Sequence, residues 1–280
     1  MAQLELNKIY CGDCVRLLQD NSNIKPRLIF ADPPFNIGYE YETYQDNLAY
    51  DRYVSWTQDW MKICYNALAD DGSFYIAIGD EYAAEVKMIS RKLGLETRNW
   101  IIWNYGFGQN TMKKFGRSHT HIFYFVKDSK SFVFNDEDVR VPSARQLIYN
   151  DKRSDPRGRI PDDVWKYPRV CGTFKERVGW HTCQMPLKLM ARIIKASSNP
   201  GDLVMDPFSG SASTLVAAAV LKRNYIGFDI DEKYISLGQE RIKDTLASGL
   251  KEIDDKEESG SIAQPGKNSD TAVENTLFEL

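Results

Sequence analysis

Long apolar runs are missing from this 280-residue chain. No segment approaches the ~20 consecutive apolar residues that span a bilayer, and the opening MAQLELNKIY carries no leader pattern. Cysteine is sparse and odd in number: five residues, with one close pair, Cys11 and Cys14, in a C-x-x-C. Such a set does not read as a disulfide framework, so the expectation is a cytoplasmic chain with reduced thiols and no membrane partner. The C-x-x-C invites a zinc or redox reading. Zinc would need two further ligands, however, and Cys64, Cys171 and Cys183 stand alone, so no metal site is expected. Histidine numbers only three. No internal repeat is evident.

What remains is globular material, 42% hydrophobic and 27% charged, enough for one large domain or a domain with an insertion. The formal net charge of −3 is unevenly spread. Residues 251–280 hold three lysines and eight acids, which leaves residues 1–250 at +2. Residues 109–177 hold fifteen basic and nine acidic side chains. A basic middle segment is a candidate phosphate-contacting surface, and equally a solvated charged face.

Apolar and turn signals alternate along the chain. NKIYCGDCVRLLQD predicts a short strand, a turn and a helix, and RLIFADPPF a buried strand stopped by prolines. Residues 50–72 have helical spacing and end at Asp71-Gly72. SFYIAIGD, TRNWIIWNYG and HTHIFYFVKD read as strands, with a helix closed by Gly94 after the first of them. This alternation predicts a parallel, doubly wound α/β sheet. Residues 127–179 are irregular and charged, too long for an ordinary connector. Regular signals return with a helix from Met185, a strand at LVMD, an Ala-rich helix, a strand at YIGFDID and a last helix. From about Lys251 the chain reads as a disordered acidic tail.

Two acids end strands. In DLVMDPFSGSASTLVAAAVLKRNYIGFDID a strand, a small-residue loop, a helix and a strand succeed one another, and Asp229 follows Asp206 by twenty-three residues. A nicotinamide dinucleotide fits poorly, because the loop has one glycine, Gly210, lacks G-x-G-x-x-G, and puts a carboxylate where a pyrophosphate would sit. The pattern suits an adenosine with a cationic end, as in S-adenosylmethionine; alone it is also an ordinary loop before a core helix. At the other strand end, Asp32-Pro33-Pro34-Phe35 joins an acid to a stiff turn with free carbonyls and an aromatic face. Asp32 and the Pro33 carbonyl could bracket one amino group, draw its nitrogen toward tetrahedral geometry and free its lone pair. Taken alone, D-P-P-F is also a plain strand-ending turn.

Together these motifs resemble the amino-methylating DNA methyltransferases of the β class, over about residues 6–245. Asp32, Pro33, Pro34 and Phe35 resemble the catalytic D-P-P-Y/F. Asp206, Pro207, Phe208, Ser209, Gly210 and Ser211 resemble the D-P-F-x-G-S cofactor loop, with Ser213 keeping a hydroxyl. Asp229 matches the ribose-binding acid. Asp13, with Cys14 beside it, matches the piece that lies against the cofactor adenine. RVGWHTCQMP resembles the segment that closes over the methionine end, with His181 and Pro186 retained. Asp32 is expected to face the cofactor as well as the base. Two departures stand out: Met185 replaces a lysine, and Ala212 replaces a glycine.

The resemblance implies a doubly wound, Rossmann-like sheet in two halves, residues 1–108 catalytic and 180–250 cofactor-binding. Between them lies an inserted target-recognition region, 109–179, and a tail, 251–280, follows. It implies a site-specific enzyme that moves a methyl group from S-adenosylmethionine to N6 of adenine in double-stranded DNA, the base being flipped out of the helix. An acid before P-P points to adenine; N4 of cytosine is the alternative, and a catalytically silent DNA-binding relative the alternative of another class. Lys113, Lys114, Arg117, Arg145, Arg153, Arg157, Arg159 and Arg169 are the candidate DNA contacts. Further partner expectations are a homodimer, a restriction endonuclease and, through Leu277-Phe278 in ENTLFEL, a replication clamp. His119 and His121 are expected on one strand face in a structural or DNA-backbone role.

Overall fold

The computed structural model describes residues 3–39, 44–106, 111–149 and 151–257. β1 (Lys8–Cys11), α1 (Cys14–Gln19) and β2 (Leu28–Ala31) come first. They are followed by α2 (Tyr50–Ala67), β3 (Ser73–Ile78), α3 (Ala83–Leu93), β4 (Glu96–Asn104) and β5 (His119–Val126). The irregular middle folds into two single-turn helices, α4 (Asp136–Val139) and α5 (Ala144–Leu147), and a short strand, β6 (Val164–Lys166). The chain continues through α6 (Leu187–Ser197), β7 (Leu203–Asp206), α7 (Ser213–Val220), β8 (Asn224–Asp229) and α8 (Glu232–Ala247). No helix among the described residues is long and apolar enough to cross a membrane.

The strands form one sheet in the order β1-β8-β7-β2-β3-β5-β4-β6. The central strand, LIFA, is buried on both faces. Leu28 and Phe30 pack with α6, α7 and α8, while Ile29 and Ala31 pack with α1, α2 and α3. That alternation is why the strand reads as a continuous apolar run. On α2, Trp60, Met61 and Cys64 are fully buried, and each large apolar side chain contributes about 2 kcal/mol. Gly94 ends α3 in the left-handed region (φ +88°), as its place in the sequence predicts.

The sheet is not wholly parallel. β5 runs antiparallel to both β3 and β4. A parallel return needs a crossover, usually a helix, and no helix is found among the described residues between β4 and β5. Because β5 reverses once on each side, β4 runs the same way as β3, and β6 pairs parallel to β4. All strands except β5 therefore end at one edge of the sheet, and β5 begins there. β2 lies between β3 and β7, where the chain direction across the sheet switches, and in such sheets the ligand crevice opens there.

The tail also departs from expectation. Ile253 and Asp255 are buried. Lys195 on α6 donates to the Ile253 carbonyl (3.0 Å) and to Asp255 (2.8 Å). The buried Arg192 guanidinium pairs with Glu257 at 2.6 Å and stacks near Trp165 and Tyr167. Acidity predicts disorder only while it lacks a partner, and two basic residues of α6 supply one for residues 253–257.

Candidate active site

A cavity of about 860 Å³ opens along the carboxyl ends of the parallel strands. Asp32 follows β2, Asp206 ends β7, Asp229 ends β8 and Asp13 follows β1, and all four line the cavity. Pro33, Pro34 and Phe35 line it too, as do Cys14, Pro207, Phe208, Ser209, Gly210, Ser211, Ser213 and His181. Two motifs 170 residues apart in the chain thus reach one space because β2 and β7 are hydrogen-bonded neighbours. Pro186 does not line it. Its fixed φ (−65°) sets the start of α6 instead, and its carbonyl accepts from Met190 N.

Burial dominates the electrostatics. The Asp206 carboxyl is pushed up to about 7, mainly by burial and further by Asp229, although Thr214 and the Phe208 amide hold it back. Asp32 is raised well above the usual carboxylate range by burial and then by Asp206. Asp229 is raised as well, chiefly by burial, while its oxygens accept from Gly210 N (2.8 Å) and Asp231 N (3.0 Å). Three desolvated acids around one void hold unfavourable negative charge that a cation would relieve. His181 goes the other way: burial, then Arg241, lowers it to about 4, so its ring is neutral at pH 7. Its buried Nδ1 has no hydrogen-bond partner among the described residues.

The small-residue loop is shaped by close approach. A Cβ on Gly210 (φ +44°) would lie 2.8 Å from His181 Nε2. Ala212 occupies the left-handed region (φ +60°, ψ 22°) with its side chain fully buried, a conformation that disfavours any residue with a Cβ. Arg241 of α8 anchors the loop from behind, donating to the Ser211 carbonyl (2.6 Å) and Ser213 Oγ (3.0 Å).

Around the D-P-P-F turn the structure adds partners that the sequence did not reveal. Both proline carbonyls were expected to be free, but Pro34 accepts from the Tyr53 hydroxyl at 2.6 Å. The Pro33 carbonyl accepts no hydrogen bond among the described residues and remains available. Asn36 follows in the left-handed region (φ 57°). Its amide oxygen accepts from Leu48 N, and its amide nitrogen donates to the Leu48 carbonyl and Tyr82 Oη. The buried Asp46 accepts from Asn36 N, Ile37 N and Tyr39 N at 2.7–3.1 Å. These bonds fix the backbone just beyond Phe35. The Tyr39 hydroxyl donates to Thr182 Oγ1, joining this loop to the segment that carries His181. A left-handed Asn after P-P-F was a readable turn signal. Asp46, ten residues away in a polar stretch, gave none.

The candidate DNA contacts divide. Lys114, Arg117 and Arg169 line the cavity, Arg169 over the Tyr105 ring at 5.1 Å. Arg117 is held by Asp80 (2.6 Å) and Glu81. Lys113, Arg145, Arg153, Arg157 and Arg159 do not reach the wall. Arg153 pairs with Asp151, Arg157 with Asp155 and Glu137, and Arg159 with Asp162. Each of these acids is close in sequence or on α4, so local turns bring them together. The His119 and His121 rings touch (4.9 Å), as their alternation predicts. Leu277-Phe278 lies outside the described residues.

A family model described as DNA methylase matches residues 27–240. The chain is 34% identical over 250 residues to the type II methyltransferase M.HpaI of Haemophilus parainfluenzae, covering 89% of this chain and 78% of that protein. It is 34% identical over 248 residues to the DNA adenine methyltransferase YhdJ of Escherichia coli K12, covering 85% and 83%. Among solved structures, the M1.HpyAVI–SAM complex superposes with a TM-score of 0.58 at 21% identity, over 84% of this chain and 98% of that one.

Proposed function

Because this chain belongs to the DNA methylase family, we propose that it methylates N6 of adenine at a specific site in double-stranded DNA, with S-adenosylmethionine as methyl donor. The observation that carries the reading is the convergence of the Asp32-Pro33-Pro34-Phe35 turn and the Asp206–Ser211 loop on one cavity, from adjacent strands. Adenine is favoured over cytosine by the similarity to an adenine methyltransferase at 34% identity.

The cavity walls fit the donor. Desolvated Asp206, Asp229 and Asp32 favour a ligand with positive charge and sugar hydroxyls, and the bare Gly210 backbone and the unpartnered His181 Nδ1 supply further polar contacts. Asp13 is committed in part, since it caps α1 by accepting from Val15 N (2.7 Å). When bound, S-adenosylmethionine supplies an electrophilic methyl group.

The chain's own residues do the rest. An extruded adenine stacks on Phe35, whose ring sits against Gly79; a Cβ there would lie 3.3 Å from it. Asp32 and the Pro33 carbonyl each accept one amino N–H, which draws the nitrogen toward tetrahedral geometry and frees its lone pair. The proton given up at nitrogen passes to an Asp32 oxygen, whose raised pKa makes it a better base than an exposed carboxylate. The Tyr53–Pro34 bond and the Asn36–Asp46 bonds keep the turn from yielding.

The same reading extends the basic region, residues 109–179, to contact with DNA, through side chains such as Arg157 and Arg159, whose acidic partners are exposed and exchangeable. Expression in a methylation-free host, followed by sequencing for modified bases, tests the proposal: N6-methyladenine at one short motif is expected. Unmodified DNA, or N4-methylcytosine instead, would overturn it.

A further inference from the structure

Two large apolar side chains stand almost wholly in solvent beside the cavity: Met112, at 101% relative exposure, and Phe115, at 98%. They belong to the connection between β4 and β5, at the carboxyl edge of the sheet. The root of this loop is fixed, because Arg117 is paired with Asp80 and Glu81 after β3. Its turn is closed by a bond from Thr111 Oγ1 to the Lys114 carbonyl. Thr111, Lys114 and Arg117 line the cavity, while Met112 and Phe115 do not. The tip therefore points away from the cavity at its mouth, carrying an aromatic ring with Lys113 and Lys114 next to it.

Other exposed apolar residues keep more of their surface covered, from Trp100 (41%) and Met88 (54%) to Leu147 (65%) and Tyr149 (72%). Single residues of that kind are ordinary; two at full exposure on one turn are not. The neighbouring lysines match a phosphate backbone rather than an apolar protein face.

We infer that Phe115, supported by Met112, is the wedge that enters the DNA stack where the target base has left it. The inference rests on the methylation reading above. A base extruded into the cavity leaves an apolar gap between its former neighbours. An aromatic ring inserted there stacks on both and opposes the return of the base, as apolar wedges do in other bent or kinked duplexes. Lys113 and Lys114 hold the phosphates that flank the gap, so one loop supplies the charge that docks the duplex and the ring that keeps it open.

The test uses the full chain and a duplex bearing the motif mapped in the host experiment. Turnover is read on two adenine-bearing duplexes, one paired and one with an abasic position opposite the target. Base extrusion is read on a paired duplex in which fluorescent 2-aminopurine, which lacks the 6-amino group, replaces the target base. Phe115→Ala is expected to cut the fluorescence rise on binding at least fivefold and turnover on paired DNA 10- to 100-fold. The abasic duplex, in which extrusion is easier, should restore turnover to within about threefold of wild type. Phe115→Trp should keep most of the signal, and Met88→Ala should match wild type throughout. An unchanged fluorescence rise in Phe115→Ala, or an equal loss on both duplexes, would overturn the inference while leaving methylation intact. So would loss of self-association with base extrusion unaffected, which would make the loop a contact between copies. Failure of the wild-type chain to methylate any DNA would remove the methylation reading and this inference together.

Discussion

The cavity at the carboxyl ends of β1, β8, β7 and β2 and the basic region around β6 hold charge in opposite ways. In the cavity three carboxylates are desolvated and raised from their ordinary pKa, with backbone amides and Thr214 offsetting the rise only in part at Asp206 and Asp229. In the basic region Arg153, Arg157 and Arg159 sit in water, each beside an acid two or three residues away or on α4. The first arrangement makes the empty site electrostatically unfavourable and so reserves it for a cationic ligand. The second contributes little to stability, since exposed ion pairs are worth at most about 1 kcal/mol, and leaves the arginines able to exchange a carboxylate for a phosphate.

The sharpest way to break the contrast is at Asp32. Asp32→Ala should lower methyl transfer by about 10²–10³-fold or more, while calorimetry still detects cofactor binding. Near-normal turnover would sink the mechanism. Next comes pH. The Asp206 charge is complete above about 7 and is lost as pH falls through that value. Affinity for S-adenosylmethionine should therefore weaken by up to about tenfold per pH unit below 7, measured by titration from pH 8 to 5.5. A flat profile would show that the buried acids do not bind the cationic ligand.

The same residue has a smaller structural signature. A carboxyl whose folded-state pKa lies above its unfolded value destabilises the fold once ionised. The penalty is absent below the unfolded value of about 3.9, grows as pH rises, and is full above about 7. Asp206→Asn keeps an acceptor for the Phe208 amide, so it should raise ligand-free stability by about 2 kcal/mol at pH 8. The gain should vanish near pH 4, as read from urea midpoints.

In the basic region, by contrast, Arg157→Ala should leave stability nearly unchanged. It should weaken DNA binding by about 2–5-fold and reduce the log–log salt slope by about 1. A loss of several kcal/mol in stability would mean that its pairs with Asp155 and Glu137 are structural. The smallest effect is expected at Ala212. Glycine there relieves the left-handed strain but frees the unfolded chain, for a net gain of about 0.5 kcal/mol, detectable as a small upward shift in the urea midpoint.

Much of the fold was legible in the residues. LIFA, FYIAI and LVM read as strands because they are apolar throughout, and α2, α3 and α8 read as helices because their apolar residues recur at helical spacing. The direction of β5 was not legible, since an apolar run looks the same either way and only the lack of a crossover helix decides it. The docking of Ile253 and Asp255 was hidden for a similar reason: an acidic stretch reads as tail until Arg192 and Lys195 on a distant helix neutralise it. In the site, the acids and small residues announced themselves by type and place. Tyr53, Asp46 and Arg241 did not, because each acts through a backbone or hydroxyl partner brought near only by folding.

By itself the sequence determined the chemical parts: an acid on a proline-stiffened turn, a small-residue loop behind a second acid, and the strands and helices that carry them. These follow from local rules of periodicity, proline geometry and residue chemistry. The tertiary structure alone decided that β2 pairs with β7, so that the two acids share one cavity, where Asp206 adds to the burial that raises the Asp32 pKa. It also decided which arginines face that cavity and which are paired with acids away from it. Desolvation and charge coupling depend on distances across the fold, and no local stretch of chain contains them.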